Sequence, residues 1–338
     1  MAKVLLGVDI QGQSDQAINL IKRLNFARID LELIHVVDVT LPISPVELVA
    51  SVEVSTAYAE AVNKAGHAAM ERSSAHARAL GLAAHEHVLH GPPALCLVEE
   101  AERHKADIVA VGSQAHGALQ SFVMGSMARA LTIDSKASVL VAKGDVAEAG
   151  ALSVVFGIDH SDYCRRSIEM FLKLAPKGVK KVTLASAYQV DEVGEIALHT
   201  SLAALGQDVD QWLDDNIRKR TEALAERFRA ARYEADVQVR RGNTNEILRK
   251  AMDDTKADLM VVGAQGHGFM DRLVIGSVSL HQVVAENYHV LVLREDQAAA
   301  PEADKSARAK SWPGKSAPAK SARGKLSVAG HLSAFCSA

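Results

Sequence analysis

Between Val261 and Val278 the chain reads VVGAQGHGFMDRLVIGSV, and between Val109 and Met127 it reads VAVGSQAHGALQSFVMGSM. Each stretch is an apolar run that ends in glycine, passes through a loop and reaches a Gly-Ser pair, Gly276-Ser277 or Gly125-Ser126. The chemistry this pattern suits is anion binding. Glycines let the backbone approach an oxyanion, and a helix opening at the Gly-Ser pair would aim its first N–H groups and the positive end of its dipole at the same point. Asp9 and Asp159 each close an apolar run earlier in the two halves. An acid there can hold a ribose hydroxyl or a base amine, and it can equally cap the following helix. His116 and His267 lie inside the loops and could donate to a phosphate, but neither has an acid nearby in sequence to make it a catalytic base.

Other reactive residues make weaker patterns. His85, His87 and His90 (HEHVLH) could place two imidazoles on one face of a strand, yet they lack a third ligand at a fixed distance, so a solvent-facing edge is the expected reading. Cys96, Cys164 and Cys336 are far apart, with no CxxC and no metal-ligand spacing. The chain has no GxxxxGK[ST], GxSxG or HExxH motif, and neither a HIGH-type nor an SGGxDS-type motif. No enzyme is expected from these residues, and slow hydrolysis of a bound phosphate is the most the loops would allow.

The elements that must position the loops follow from periodicity. Val4 to Asp9 reads as a buried strand, Ser14 to Leu24 as a capped amphipathic helix, and Leu31 to Val37 as a second strand. After a Pro-bearing loop at Leu41 to Pro45 come a long Ala-rich helix from about Glu53 to Leu80, a strand near Ala83 to Leu89 and a helix from Gly91-Pro92-Pro93 to about His104. Asp107 to Val111 is a fourth strand, a helix starts at Ser126, and Ser138 to Ala142 is a fifth strand. The order then repeats: Val154 to Asp159 matches Val4 to Asp9 at an offset of 150, and Asp258 to His267 matches Asp107 to His116 at an offset of 151. The Gly91 and Gly242 loops and the closing strands VLVAK and VLVLR share the second offset.

A tandem repeat of strand and helix implies α/β architecture: two doubly wound domains with helices on both faces of parallel sheets. The reading divides the chain into domain 1 (residues 1–143), a small polar linker (144–151), domain 2 (152–294) and a tail (295–338). In such sheets ligands sit outside the carboxyl ends of the strands, where strand order reverses, which puts Asp9 with Gly112 and Asp159 with Gly263 in one crevice each. The closing strands Ser138 to Ala142 and His289 to Leu293 are edges whose pairing within one chain would cover them.

Composition bounds the rest. Of 338 residues, 48% are hydrophobic and 4% aromatic, enough for two cores without staples. The three scattered cysteines point to a reducing compartment, and MAKVLLGVDI lacks the pattern of a signal peptide. No apolar run approaches the roughly 20 residues that span a bilayer, so no membrane partner and a cytoplasmic location are expected. The net charge of −3 hides a split: Lys305 to Ala338 holds seven Lys/Arg and no Asp/Glu, leaving 31 basic against 41 acidic residues before it. An acidic body argues against nucleic acid as a partner, except weakly through the tail. The Ala/Lys/Ser/Pro-rich tail cannot bury a core and is expected to be a solvated extension or a basic arm for a polyanion.

Residues 1 to 294 resemble a tandem universal stress protein. That family's nucleotide motif is Gly, two residues, Gly, nine residues, Gly, then Ser or Thr, and domain 2 matches it with Gly263, Gly266, Gly276 and Ser277. The resemblance implies five-stranded parallel sheets in the order 3-2-1-4-5 and a regulatory protein that binds ATP or another adenine nucleotide, with or without Mg2+. It implies that Asp159 meets the adenosine part, that Ala187 lies near the adenine, that Gly263, Gly266, His267 and Gly268 wrap ribose and phosphates, and that Gly276, Ser277 and Ser279 bind phosphate oxygens. The matching positions in domain 1 are Asp9, Val37, Gly112, His116, Gly117, Gly125 and Ser126, with Ala115 in place of the second motif glycine. If that position needs φ > 0, alanine costs on the order of 1 kcal/mol and its methyl enters space a phosphate needs. Both loops carry Gln (Gln114, Gln265) where many relatives have Arg. Domain 2 is therefore expected to be the better nucleotide site. Paired domains, a homodimer of whole chains and a nucleotide-linked change in either follow as expectations, with a nucleotide-free scaffold as the alternative.

Overall fold

The computed structural model describes residues 1–39, 52–113, 126–146, 149–190, 208–266 and 275–295, with side chains from residue 56 in the second of these stretches. The loop Leu41 to Pro45, the phosphate-loop residues Gln114, Ala115, His116, Gly117 and Gly125, the residues His267 and Gly268, and the basic tail from residue 296 lie outside them.

Domain 1 contains β1 (Ala2–Gly7), α1 (Ser14–Leu24), β2 (Ile29–Val37), α2 (Val52–Ala79), β3 (Ala84–His90), α3 (Pro93–His104), β4 (Ile108–Ser113), α4 (Ser126–Asp134) and β5 (Ser138–Lys143). Domain 2 repeats the order with β6 (Leu152–Ile158), α5 (Asp162–Leu174), β7 (Val179–Tyr188), α6 (Val209–Ala230), β8 (Glu234–Arg241), α7 (Thr244–Thr255), β9 (Leu259–Gly263), α8 (Ser277–Ala285) and β10 (His289–Leu293). The strands form one sheet, β3-β2-β1-β4-β5-β10-β9-β6-β7-β8, so each half runs 3-2-1-4-5 and strand order reverses beside β1 and β6.

The inner strands β1, β4, β5, β6, β9 and β10 are near-continuous apolar runs because both faces are covered, whereas the outer strands β3 and β8 carry polar and charged residues. On one face Leu6, Leu31, Phe156 and Leu184 pack under α1, α2, α5 and α6; on the other, Leu5, Val109, Val155 and Met260 pack under α3, α4, α7 and α8. In domain 2 the first face carries an aromatic cluster in which Phe156 meets Phe171 and Phe228 at centroid distances of 5.8 and 5.7 Å.

β5 and β10 pair antiparallel, with Leu140 opposite Leu291. The residues that end these strands reach across the seam. Lys143 donates from Nζ to the carbonyls of Val283 and Glu286, both at 2.6 Å, at the end of α8. Its counterpart Arg294 donates to Thr132 O at 2.8 Å near the end of α4. A cation on a helix C-terminus satisfies orphan carbonyls and meets the negative end of the dipole. Burial lowers the Lys143 ammonium to about 8, against partial support from Glu286. Beside it, the Lys143 amide donates to His289 Nδ1 at 2.9 Å, and burial lowers that imidazole below its ordinary value.

Candidate functional site

Each half opens a cleft at the carboxyl ends of its strands, about 480 Å³ in domain 2 and about 490 Å³ in domain 1. The domain 2 cleft brings together Asp159, Ala187, Gly263, Gly266, Gly276, Ser277 and Ser279 from the sequence-derived set. The domain 1 cleft includes Asp9 and Gly112, whereas Val37 and Ser126 are not on its wall. Side chains alternate along a strand, and Val36, the residue at the 151 offset from Ala187, is the one that faces the domain 1 cleft. Val37 points instead toward Gly66 of α2.

The two acids are used differently. Both oxygens of Asp9 accept backbone N–H groups at the start of α1: Oδ1 from Gln11 at 2.7 Å and Gln13 at 3.1 Å, and Oδ2 from Ser14 at 2.6 Å. Asp9 thus takes the capping role that its place in the sequence allowed, while the Ser14 hydroxyl contacts Ser73 at 3.1 Å in the interior. In domain 2 the cap is Ser161, which accepts from the Cys164 amide at 3.0 Å. Asp159 Oδ1 accepts from the Ser161 amide and hydroxyl at 3.0 and 2.7 Å. Its Oδ2 lies toward the glycine loop, where a Cβ added to Gly266 would sit 2.6 Å from it.

The motif glycines have local reasons. A Cβ on Gly112 would lie 1.9 Å from the Gln13 carbonyl oxygen, so the α1 entry rests directly on that glycine. A Cβ on Gly263 would meet Ser167 Oγ at 2.8 Å and Tyr163 Cδ1 at 3.2 Å, side chains of α5 rather than backbone. The Gly276 amide donates to Ala264 O at 2.7 Å and closes the loop onto the end of β9. Ser279 is buried and donates to Gly263 O at 2.5 Å, which fixes the first turn of α8. The start of α8 has no side-chain cap, whereas α5, α6 and α7 are capped by Ser161, Asp208 and Asn243. Its first amides therefore keep their capacity for an anion, beside the exposed hydroxyl of Ser277.

Two residues absent from the sequence reading complete the domain 2 cleft. His160 adopts φ +60, a left-handed conformation that a side chain rarely takes, and its Nε2 lies 3.1 Å from Thr221 Oγ1 on α6. That contact ties α6 to the cleft floor next to Arg220, an exposed cation on the wall. The described wall of the domain 1 cleft has Asp9 and Asp38 and neither lysine nor arginine. Arg72 on α2 donates to the Asp9 and Ile10 carbonyls beside it, both at 3.4 Å. Cys164 also lines the domain 2 cleft, but burial pushes its thiol up to about 11, which leaves it protonated and unsuited to nucleophilic chemistry. Among the described residues the domain 2 cleft thus sets an uncapped helix start and an exposed arginine beside an apolar floor.

The model of the Universal stress protein family matches residues 1–143 and again 152–294. A universal stress protein from Archaeoglobus fulgidus DSM 4304 superposes with a TM-score of 0.60 at 16% identity, covering 86% of this chain and 98% of that one. A putative universal stress protein from Pseudomonas aeruginosa UCBPP-PA14 gives 0.57 at 13% identity, covering 88% and 94%. A family protein from Arabidopsis thaliana, solved with AMP bound, gives 0.32 at 18% identity over 44% of this chain and 96% of its own, too distant a likeness to say what this chain holds. A comparison with curated protein sequences found no match. Among the described residues no helix is long and apolar enough to cross a membrane.

Proposed function

The chain belongs to the universal stress protein family, and from that premise we propose that it is a stress-response regulatory protein whose domain 2 binds ATP or another adenine nucleotide. One observation carries this reading: Asp159 and Gly266, the uncapped start of α8 with Ser277, and Arg220 converge on a single cleft of about 480 Å³. The chemistry of that wall fits the ligand. Asp159 takes the adenosine part, the apolar floor around Ala187 and Val262 takes the base, and Gly263, Gly266, Gly276 and Ser277 meet the phosphates. Mg2+, where present, would be held through phosphate oxygens and water. His267 and Gly268 belong to the same proposed loop.

Domain 1 is read as a weak or empty site. Its Asp9 is spent on three backbone amides, and its described wall carries two acids without a cation. Two carboxylates facing polyphosphate disfavour binding, whereas Arg220 favours it. This half fits the alternative role of an interaction surface that needs no nucleotide. Nucleotide binding in domain 2 would stabilise one arrangement of the joined domains or of a dimer, a linkage that needs only differential affinity.

Arg220→Ala tests the assignment. An exposed charge–phosphate contact is worth about 1 kcal/mol, so ATP affinity falls roughly fivefold, with a shallower salt dependence. Unchanged affinity and salt dependence, together with no nucleotide released when the purified protein is denatured, would reject the reading.

A further inference from the structure

The histidine-rich third strand gains partners in the fold that its sequence spacing does not disclose. β2 and β3 pair in parallel with Glu32 opposite His85, so Asp30, Glu32, His85 and His87 share the α3 face of the sheet. One donor atom from each of Asp30, Glu32 and His85 can be chosen so that all lie within 4.8 Å of one another. Glu32 is held from two sides: His87 Nε2 is 2.7 Å from its Oε2, and His104 Nδ1, at the end of α3, is 3.7 Å from its Oε1. His104 is placed in turn by Glu100, 3.4 Å from its Nε2. Among the described residues no lysine or arginine forms an ion pair with Asp30 or Glu32.

Domain 2 shows how the same backbone positions look when a protein cation is built in. At the 151 offset Asp30 becomes Lys181 and His85 becomes Asp236, which form an ion pair at 2.7 Å. Glu32, His87 and His104 become Thr183, Gln238 and Thr255. Domain 2 thus meets the charge of Asp236 with an ammonium in contact with it, while in domain 1 Lys3, opposite Asp30 on β1, turns its ammonium to the His104 carbonyl at 3.4 Å and, among the described residues, forms no ion pair with Asp30 or Glu32.

We propose that Asp30, Glu32 and His85 bind a divalent transition-metal ion of the Zn2+ class, with His87 and His104 positioning the Glu32 carboxylate. Metal–ligand distances of about 2.0–2.2 Å put donor atoms about 3.4 Å apart around a tetrahedral ion, so side-chain rotations that move the donors by about 1 Å, chiefly of Asp30 and the exposed His85, close the set. Imidazole with carboxylate suits Zn2+, Cu2+ or Ni2+ rather than Mg2+ or Ca2+. Ligating carboxylates in such sites are themselves held by hydrogen bonds, as Glu32 is by His87. The ion would clip β3, an outer strand of the sheet, to β2 at the end of the strands away from the nucleotide cleft.

The test uses the full chain, stripped of metal by a chelator and dialysed, then titrated calorimetrically with zinc chloride in the presence of millimolar magnesium chloride. The expected result is one Zn2+ per chain in a class weakened at least tenfold by His85→Ala and by Glu32→Gln. The double variant Asp30→Lys with His85→Asp, which copies the domain 2 ion pair, should keep its thermal transition and lose that class. His67→Ala, an exposed histidine on α2, should leave it unchanged. Absence of Zn2+ binding by the wild type, retention of the class in the double variant, or an equal loss in His67→Ala would overturn the proposal.

Discussion

Domains 1 and 2 share a strand order and a repeat offset, yet they fill the space after their first strands differently. In domain 1 the chain after β1 folds inward: Gln11, Gln13 and Ser14 turn their amides onto Asp9, and the Gln13 carbonyl rests over Gly112. In domain 2 the Ser161 hydroxyl caps α5, and Asp159 Oδ1 accepts from Ser161 while its Oδ2 faces Gly266. The same residue type at the end of the first strand therefore meets different partners in the two copies, three backbone amides for Asp9 and the amide and hydroxyl of Ser161 for Asp159.

The sharpest way to break this comparison is at the first motif glycines. Gly112→Ala places a methyl against a backbone carbonyl, and overpacking of that kind should cost about 3 kcal/mol in urea unfolding. Nucleotide binding by the remaining folded protein should be unaffected. If Gly112→Ala unfolds normally and loses nucleotide, Gly112 is ligand rather than scaffold and the two halves are alike.

The seam between the halves gives the next effect. Lys143 has a folded value of about 8 against an ordinary 10.5. Between those two values the unfolded chain holds a proton that the folded chain has lost, so stability rises with pH across the window, and the contribution is lost again as pH falls through about 8. Lys143→Met removes this slope, and the difference in unfolding free energy between wild type and variant should change by about 2–3 kcal/mol from pH 8 to 10.5. His289, lowered by burial, adds the same sign on the acid side: its contribution is present above its ordinary 6.5 and declines as pH falls below it. A wild-type and Lys143→Met difference that is flat with pH would mean the lysine charge is not carried by the seam.

The acids provide the smallest and most selective contrast. Asp9→Ala should lower stability by about 1–2 kcal/mol through the lost cap, with ATP affinity unchanged. Asp159→Asn should leave stability near wild type and weaken ATP about tenfold, or about 1.4 kcal/mol. Equal effects of the two changes on ATP would erase the distinction between the domains.

Much of the fold was legible because its signals are local or repetitive. Apolar runs ending in Asp9, Asp159, Gly112 and Gly263 located four strands, and the constant offset showed that two units share one order. The strand sequence 3-2-1-4-5 came from the family resemblance, since spacing alone does not order a sheet. The roles of Asp9 and Asp159 were open because capping and ligand binding ask for the same residue type; the fold sets Asp9 on three amides at the start of α1 and Ser161 at the cap of α5. Arg220 escaped notice because it sits on a helix some sixty residues from Asp159 and reaches the cleft only through the contact of His160 with Thr221. The third ligand missing from HEHVLH was likewise not local: Glu32 is brought beside His85 by the register of β2 on β3.

The central claim is that one half of this duplicated chain holds nucleotide and the other does not. Isothermal titration of nucleotide-stripped full-length protein with ATP tests it most directly, in the wild type and in the Gly266→Val and Ala115→Gly variants. One ATP per chain is expected in the wild type, none detectable in Gly266→Val, and still one in Ala115→Gly, because restoring that glycine leaves Asp9 engaged and the described domain 1 wall without lysine or arginine. Two ATP per chain in the wild type, or undiminished binding in Gly266→Val, would contradict it.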